Sequence, residues 1–263
     1  MTYTETDVVA AIEGLAARPV TALTQAERDQ IDQFHAGGAE AVDRIRPSLR
    51  LAPGMTVLDV GSGFGGPARQ IAGSTGAEVV GVDITTAYVE AARELTEAAG
   101  LADQVRFVCS DIAALEPTGF DAAYTMHVQM NVADKAAFFA EIGHRLRPGA
   151  RLATFEVCRT GDSDPALPLP WSLDGTDSHL VGADELCRTI ASAGFELVEW
   201  VDETAWVREW FQQVAARLAA APARPAAVLP ALLQDGPVRM MNFAAAVMGG
   251  VVSIQRGCFI RGR

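Results

Sequence analysis

Between Val57 and Gly66 the chain reads Val-Leu-Asp-Val-Gly-Ser-Gly-Phe-Gly-Gly, and no other stretch restricts the fold as tightly. The apolar, β-branched run is a buried strand. The glycines directly after it allow a tight backbone turn and let a ligand approach without a Cβ in the way. Pro67–Ala72 then carries helical spacing. A strand, a glycine turn and a helix in that order open the unit from which parallel sheets are built. Gly61, Gly63 and Gly66 also satisfy G-x-G-x-x-G, so the glycines alone do not separate a dinucleotide from an adenosyl cofactor.

The rest of the chain extends this pattern. Short β-branched runs at Thr56–Val60, Glu78–Val82, Val105–Cys109, Ala122–Tyr124 and Arg151–Val157 alternate with helical patterns at Pro67–Ala72, Ala87–Ala99 and Lys135–Leu146. Pro148-Gly149 is expected to end the last of these helices. A helix over Asp184–Ala193, a strand over Glu196–Val201 and a final strand over Val251–Ile260 follow. The expected fold is α/β: a Rossmann-like, seven-stranded, mostly parallel sheet with helices on both faces. Helical spacing over 4–17 and 24–47, with Thr24 as a cap, predicts an N-terminal helical cover. Residues 204–248 read as largely helical, interrupted by Pro222, Pro225, Pro230 and Pro237. This predicts a cover over 1–50, a core over 51–203, a lid or substrate wall over 204–250 and the last core strand over 251–263.

Composition removes several function classes. The net charge of −12 opposes nucleic acids and anionic membrane surfaces. No apolar run approaches the roughly 20 residues that span a bilayer, and the start lacks the order of a secretory signal, so the expected location is the cytoplasm. The four cysteines lie far apart and read as free thiols, and no ligand cluster has metal-site spacing. The expected partner is a small molecule, and the oligomeric state is left open, a homo-oligomer included.

Three acids at strand ends discriminate among cofactors. Asp59 precedes the first glycine by two residues, where dinucleotide folds more often keep an apolar residue, and its carboxylate can orient the turn or reach the amino group of a bound amino acid. Asp83 ends the second strand about 20 residues on, where a carboxylate accepts from ribose hydroxyls. Asp111 follows the third strand and can accept from an adenine amino group while Ile112 packs on the ring.

On these residues the stretch from about Leu51 to Val157 resembles the class I S-adenosylmethionine-dependent methyltransferases. Asp59, Gly61, Gly63, Gly65, Asp83 and Asp111 fall on cofactor-binding positions of that family, and the resemblance implies the same role for Gln33, Ser62, Ile84, Ile112 and Met126. At a finer grain, Ile31-Asp-Gln-Phe-His-Ala-Gly-Gly, Met126-His-Val-Gln-Met-Asn and Pro170-Trp171 resemble a bacterial branch near the sarcosine/dimethylglycine and tocopherol-type methyltransferases. The N-terminal segment closes over the cofactor in such proteins, which makes Gln33, Phe34 and His35 cover residues.

Methyl transfer from a sulfonium is an in-line displacement, for which positioning can supply roughly 7–11 kcal/mol. A neutral amine needs only its lone pair, whereas a hydroxyl or carbon acid needs a base. His127, His35 and Glu156 are the catalytic candidates, with His179 a further candidate base. Phe34, Met130, Asn131, Trp171 and His179 are the expected acceptor contacts. Met130, Trp171, Trp206 and Trp210 can line an apolar or cation-accepting pocket, since aromatic faces attract ammonium groups; for Trp206 and Trp210 the alternative is a place in the core. Asn131 stands where related families often carry His, so a base is not transferred from them directly. The expected function is transfer of a methyl group from S-adenosylmethionine to N, O or C of a small metabolite, in secondary metabolism. An NAD-dependent oxidoreductase and a non-catalytic S-adenosylmethionine-binding protein are the alternatives.

Overall fold

A computed structural model describes residues 5–116, 118–220 and 228–262. In chain order the helices and strands are α1 (Val8–Ala16), α2 (Gln25–Arg28), α3 (Gly38–Leu49), β1 (Thr56–Val60), α4 (Gly66–Thr75), β2 (Glu78–Asp83), α5 (Thr86–Ala98), β3 (Val105–Cys109), β4 (Phe120–Met126), α6 (Lys135–Arg145), β5 (Leu146–Arg159), α7 (Ala183–Ser192), β6 (Phe195–Asp202), α8 (Thr204–Ala220), α9 (Leu229–Leu232), α10 (Gly236–Met248) and β7 (Val252–Arg261). The strands form one sheet of order β3-β2-β1-β4-β5-β7-β6. Only β7 runs antiparallel to its neighbours β5 and β6. This is the Rossmann-like, mostly parallel architecture read from the sequence.

Both faces of the sheet are covered, which is why its inner strands are apolar on both sides. Ile45 of α3, Ala68 and Ile71 of α4 and Val89 of α5 pack on one face. Phe139 and Ile142 of α6, with Leu186 and Ile190 of α7, close the other. Each of the valine, leucine, isoleucine and phenylalanine side chains among these, fully buried, contributes about 1.5–3 kcal/mol. The sheet order reverses direction between β1 and β4, and in open α/β sheets ligands bind at the carboxyl ends of the strands at such a point.

Two boundaries differ from expectation. The helix expected over 24–47 is two helices, because Gly37 and Gly38 take φ +88° and +52°. A Cβ on Gly37 would stand 2.4 Å from the Trp206 ring. The irregular segment between α2 and α3 carries Gln33, Phe34 and His35. Thr24 does cap α2, in a reciprocal capping box with Glu27. Pro148-Gly149 does not end a helix: α6 stops at Arg145, Leu146 already pairs with Phe120, and the next pairing is Arg151 with Ala122. The proline, lacking an N–H, lies in the resulting bulge. Pro222 and Pro225, expected to interrupt the helical insertion, lie outside the described residues.

Candidate active site

At the carboxyl ends of β1, β2 and β4 lies a cavity of about 490 Å³. Its walls come from the glycine turn, the ends of β2 and β3, the segment after β4, the irregular segment before α3, the Pro170-Trp171 loop, and α9 and α10. Gln33, Phe34, His35, Gly61, Gly63, Asp83, Ile84, Asp111, Ile112, Met126, His127, Met130, Asn131 and Trp171 all line it. Residues from widely separated parts of the chain thus meet in one space.

The glycine turn is built chiefly by protein packing. Gly61 has φ +78°, and a Cβ there would stand 2.4 Å from Val128; Gly65 has φ +76°, and its Cβ would stand 2.3 Å from Phe107. Gly63 alone of the two cavity-lining glycines leaves open space: its Cβ would meet nothing nearer than Phe34 at 3.7 Å. The expectation that these glycines admit a ligand therefore holds for the space at Gly63, while Gly61 and Gly65 admit neighbouring side chains.

Asp83 is tied into this turn. One carboxylate oxygen accepts from the Gly63 amide at 2.9 Å and the other from the Thr85 amide at 2.9 Å. Burial pushes its pKa up, while these two amides pull it back toward the ionised form. The Thr85 hydroxyl and the Ile84 amide also favour the ionised form. Asp111 caps a short 3₁₀ turn by accepting from Ala113 at 2.8 Å. Ile84 is 70% exposed yet lines the cavity between these acids, an apolar ledge that a flat ring would cover. Asp59 and Tyr124 stand on paired positions of β1 and β4. Asp59 is buried, does not border the cavity, and has its pKa raised to about 7 by burial.

His127 follows β4 in a left-handed backbone conformation, φ +56°, which is uncommon for a bulky residue and concentrates at functional sites. Its amide donates to the Phe155 carbonyl at 2.8 Å. Its ring stacks on Phe155 at 5.7 Å and meets the edge of Phe243 at 5.7 Å. His35 lies 6.2 Å from it, centroid to centroid, and pairs through Nε2 with the Gly38 carbonyl at 3.0 Å. A carbonyl only accepts, so that nitrogen carries the proton and Nδ1 is the free acceptor. Burial lowers the His35 pKa to about 4 and holds His127 well below the usual imidazole range. Both rings are neutral at pH 7. Three polar atoms facing this region, His127 Nε2 and both amide atoms of Gln33, are buried with no hydrogen-bond partner.

Other expected site residues stand elsewhere. Glu156 is fully buried and does not border the cavity; it accepts from Thr125 Oγ1 at 2.7 Å and from the Val128 and Gln129 amides at 3.0 and 3.2 Å. These bonds hold the loop that carries His127. Burial raises its pKa to about 7. His179 contributes backbone: its amide donates to Met130 and its carbonyl accepts from Lys135, and its ring does not border the cavity. Ser62 and Gly65 lie behind the turn, not on its open side. Trp206 packs beneath the Arg44 guanidinium and against Phe155, and Trp210 packs against Phe211; neither reaches the cavity.

Two arginines escaped the sequence reading. Arg69 of α4 forms a buried ion pair with Asp32 at 2.6 Å and also donates to Thr96 and the Phe64 carbonyl, so it ties the segment bearing Gln33 to the helix after the glycine turn. Arg239 of α10 is fully buried and donates to the carbonyls of Leu169 and Pro170, which seats Trp171 against Phe243 at 5.4 Å. The available signal was an arginine on an otherwise apolar helix face, which names no partner.

The sheet order, the glycine turn and the acids at strand ends lie where the resemblance to S-adenosylmethionine-dependent methyltransferases places them. Residues 57–149 match the known methyltransferase domain family. The chain is 32% identical over 163 residues to a sterol 24-C-methyltransferase from Gibberella zeae, covering 59% of this chain and 43% of that one. The solved structure of the [4+2]-cyclase SpnF is 26% identical with a TM-score of 0.65, covering 85% of this chain and 81% of that one. A geranyl diphosphate methyltransferase in complex with SAM has the same fold, with a TM-score of 0.67 and 20% identity over 85% of each chain. The chain spans less than two thirds of the length of the curated relatives it matches. Among the described residues no helix is long and apolar enough to cross a membrane.

Proposed function

We propose that this protein transfers a methyl group from S-adenosylmethionine to N, O or C of a small-molecule metabolite, in secondary metabolism and in the cytoplasm. The observation that carries this reading is one continuous cavity joining the Asp83–Ile84–Asp111–Ile112 end to the His127–Trp171–Phe243 wall. The first set suits a nucleoside: Asp83 to accept from ribose hydroxyls, Ile84 and Ile112 to enclose the base, Asp111 to accept from its amino group. The cofactor, when bound, supplies an electrophilic methyl on sulfur. Gly63 leaves room for it beside the turn, and Asp59 orients that turn from beneath. Residues 33–36 and α9–α10 form the cover, and their apolar side chains exclude water while the wall holds the acceptor in line. His127 and Gln33 hold a polar group of the acceptor by hydrogen bonds.

Incubating the protein with methyl-labelled S-adenosylmethionine and a metabolite extract tests the proposal. Label should pass to an organic-soluble product, with one S-adenosylhomocysteine formed per methyl moved. The similarity to a structure named a [4+2]-cyclase favours a second reading, in which the same cavity rearranges a substrate without methyl transfer. Consumption of an acceptor with no label transferred would select it.

A further inference from the structure

We infer that the acceptor is an uncharged, largely apolar molecule that presents one polar group to His127 and Gln33. The inference rests on the methyltransferase reading and deepens it. Among the described residues that line the cavity there is no lysine and no arginine, while Asp83, Asp111, Asp134 and Glu141 supply four carboxylates. Their potential matches a cofactor with a positive sulfonium and opposes an anionic acceptor in the same space. A carboxylate or phosphate brought there would lose its water with no counter-charge to replace it, which is the most costly form of polar burial.

The wall formed by the Pro170-Trp171 loop, α9 and α10 disfavours cations by a different route. Trp171, Leu229, Leu233, Met240 and Phe243, contributed by the Pro170-Trp171 loop and by α9 and α10, carry no charge. The four carboxylates come instead from the ends of β2 and β3, from Asp134 capping α6 and from Glu141 in the middle of that helix. The Trp171 indole N–H is already donated to Ser178 at 3.0 Å. An ammonium at this wall would be desolvated with no carboxylate among the wall's own residues to supply a counter-charge. The unpartnered polar atoms near it are those of Gln33 and His127 Nε2. A primary amide offers both a donor and an acceptor, and the His127 ring is neutral, so the pair complements a hydroxyl, a carbonyl or an amine in its base form.

The test is calorimetry on the protein loaded with S-adenosylhomocysteine, titrated with geraniol, farnesol and cholesterol and with geranic acid, geranylamine and geranyl phosphate. At least one neutral alcohol should bind below about 1 mM, and geraniol at least about tenfold more tightly than each charged counterpart of the same chain. Equal or tighter binding of geranic acid, geranylamine or geranyl phosphate, or no binding by any neutral alcohol in that range, overturns the inference. Met240→Arg, at a half-buried wall position, should raise the affinity for geranic acid and lower that for geraniol; no change in the ratio counts against it. S-adenosylhomocysteine binding is measured first. Its absence removes the methyltransferase reading and the inference together, whereas cofactor binding without discrimination removes the inference alone.

Discussion

The two ends of the cavity are built by different means. At the cofactor end, the glycine turn and Asp83 come from strand and turn segments close in sequence, and the polar atoms largely satisfy one another: Asp83 accepts from Gly63 and Thr85, and Asp111 from Ala113. At the acceptor end, side chains from before α3, after β4, after β5 and from α9–α10 meet, and their polar atoms at Gln33 and His127 have no partner within the protein. The first end also leaves Asp59 Oδ2 and Ser62 Oγ buried without a hydrogen-bond partner beneath the turn. The groups that hold the second end together, Arg69, Glu156 and Arg239, lie behind its surface.

The supports should therefore give the largest effects when broken. Arg69→Met removes the ion-pair partner of the buried Asp32 carboxylate and should cost about 3–5 kcal/mol in a denaturant titration. Adding Asp32→Asn should recover part of that loss. A cost below 1 kcal/mol would mean that the cover is not fastened here.

Glu156 offers a pH-dependent version of the same comparison. Its pKa is raised from 4.5 to about 7 in the folded protein. Below 4.5 the carboxyl is protonated whether folded or not. Between 4.5 and 7 the folded state keeps a proton that the unfolded chain has released, so stability falls as pH rises and levels off above 7. Glu156→Gln lacks this titration. Its stability relative to wild type should rise by roughly 3 kcal/mol across that interval, measured by melts at several pH values; a constant difference would place the titration elsewhere.

At the cofactor end the substitutions act on binding. Asp83→Ala should weaken S-adenosylmethionine by about 1.5–3 kcal/mol, or roughly 10- to 150-fold. The same change removes the acceptor of the Gly63 and Thr85 amides, so Asp83→Asn, which keeps one acceptor oxygen, should lose less. Unchanged affinity in a folded Asp83→Ala protein would overturn the ribose assignment.

The smallest effect is expected at His127. Burial holds its pKa well below the usual range, so any limb of the wild-type pH–rate profile near 6.5 should persist in His127→Gln. His127→Gln preserves a hydrogen-bonding group and should retain the maximal rate within about threefold, since a base would contribute roughly 10²–10⁴. A loss of that size would make His127 the base.

The contrast between the two ends also explains what was legible in the sequence. Strand, turn, helix and acid lie within a few residues of each other around Gly61, so local pattern placed β1, α4, β2 and the residues bordering the cofactor end. Glu156 and Trp206 were harder, because a buried carboxylate and a catalytic one look alike until partners such as Thr125 and the Val128 amide are seen across strands. The break between α2 and α3 depends on Gly37 admitting Trp206, more than 160 residues away. The left-handed backbone of His127 has no local marker at all.

The most direct measurement is a calorimetric titration of the wild-type protein with S-adenosylmethionine and, separately, with NAD. Asp83, Asp111 and the isoleucine ledge between them should give saturable binding of one S-adenosylmethionine per chain, a much weaker response in Asp83→Ala, and no binding of NAD. Failure to bind S-adenosylmethionine, or NAD binding of equal strength, would contradict the assignment of this cavity to an adenosyl methyl donor.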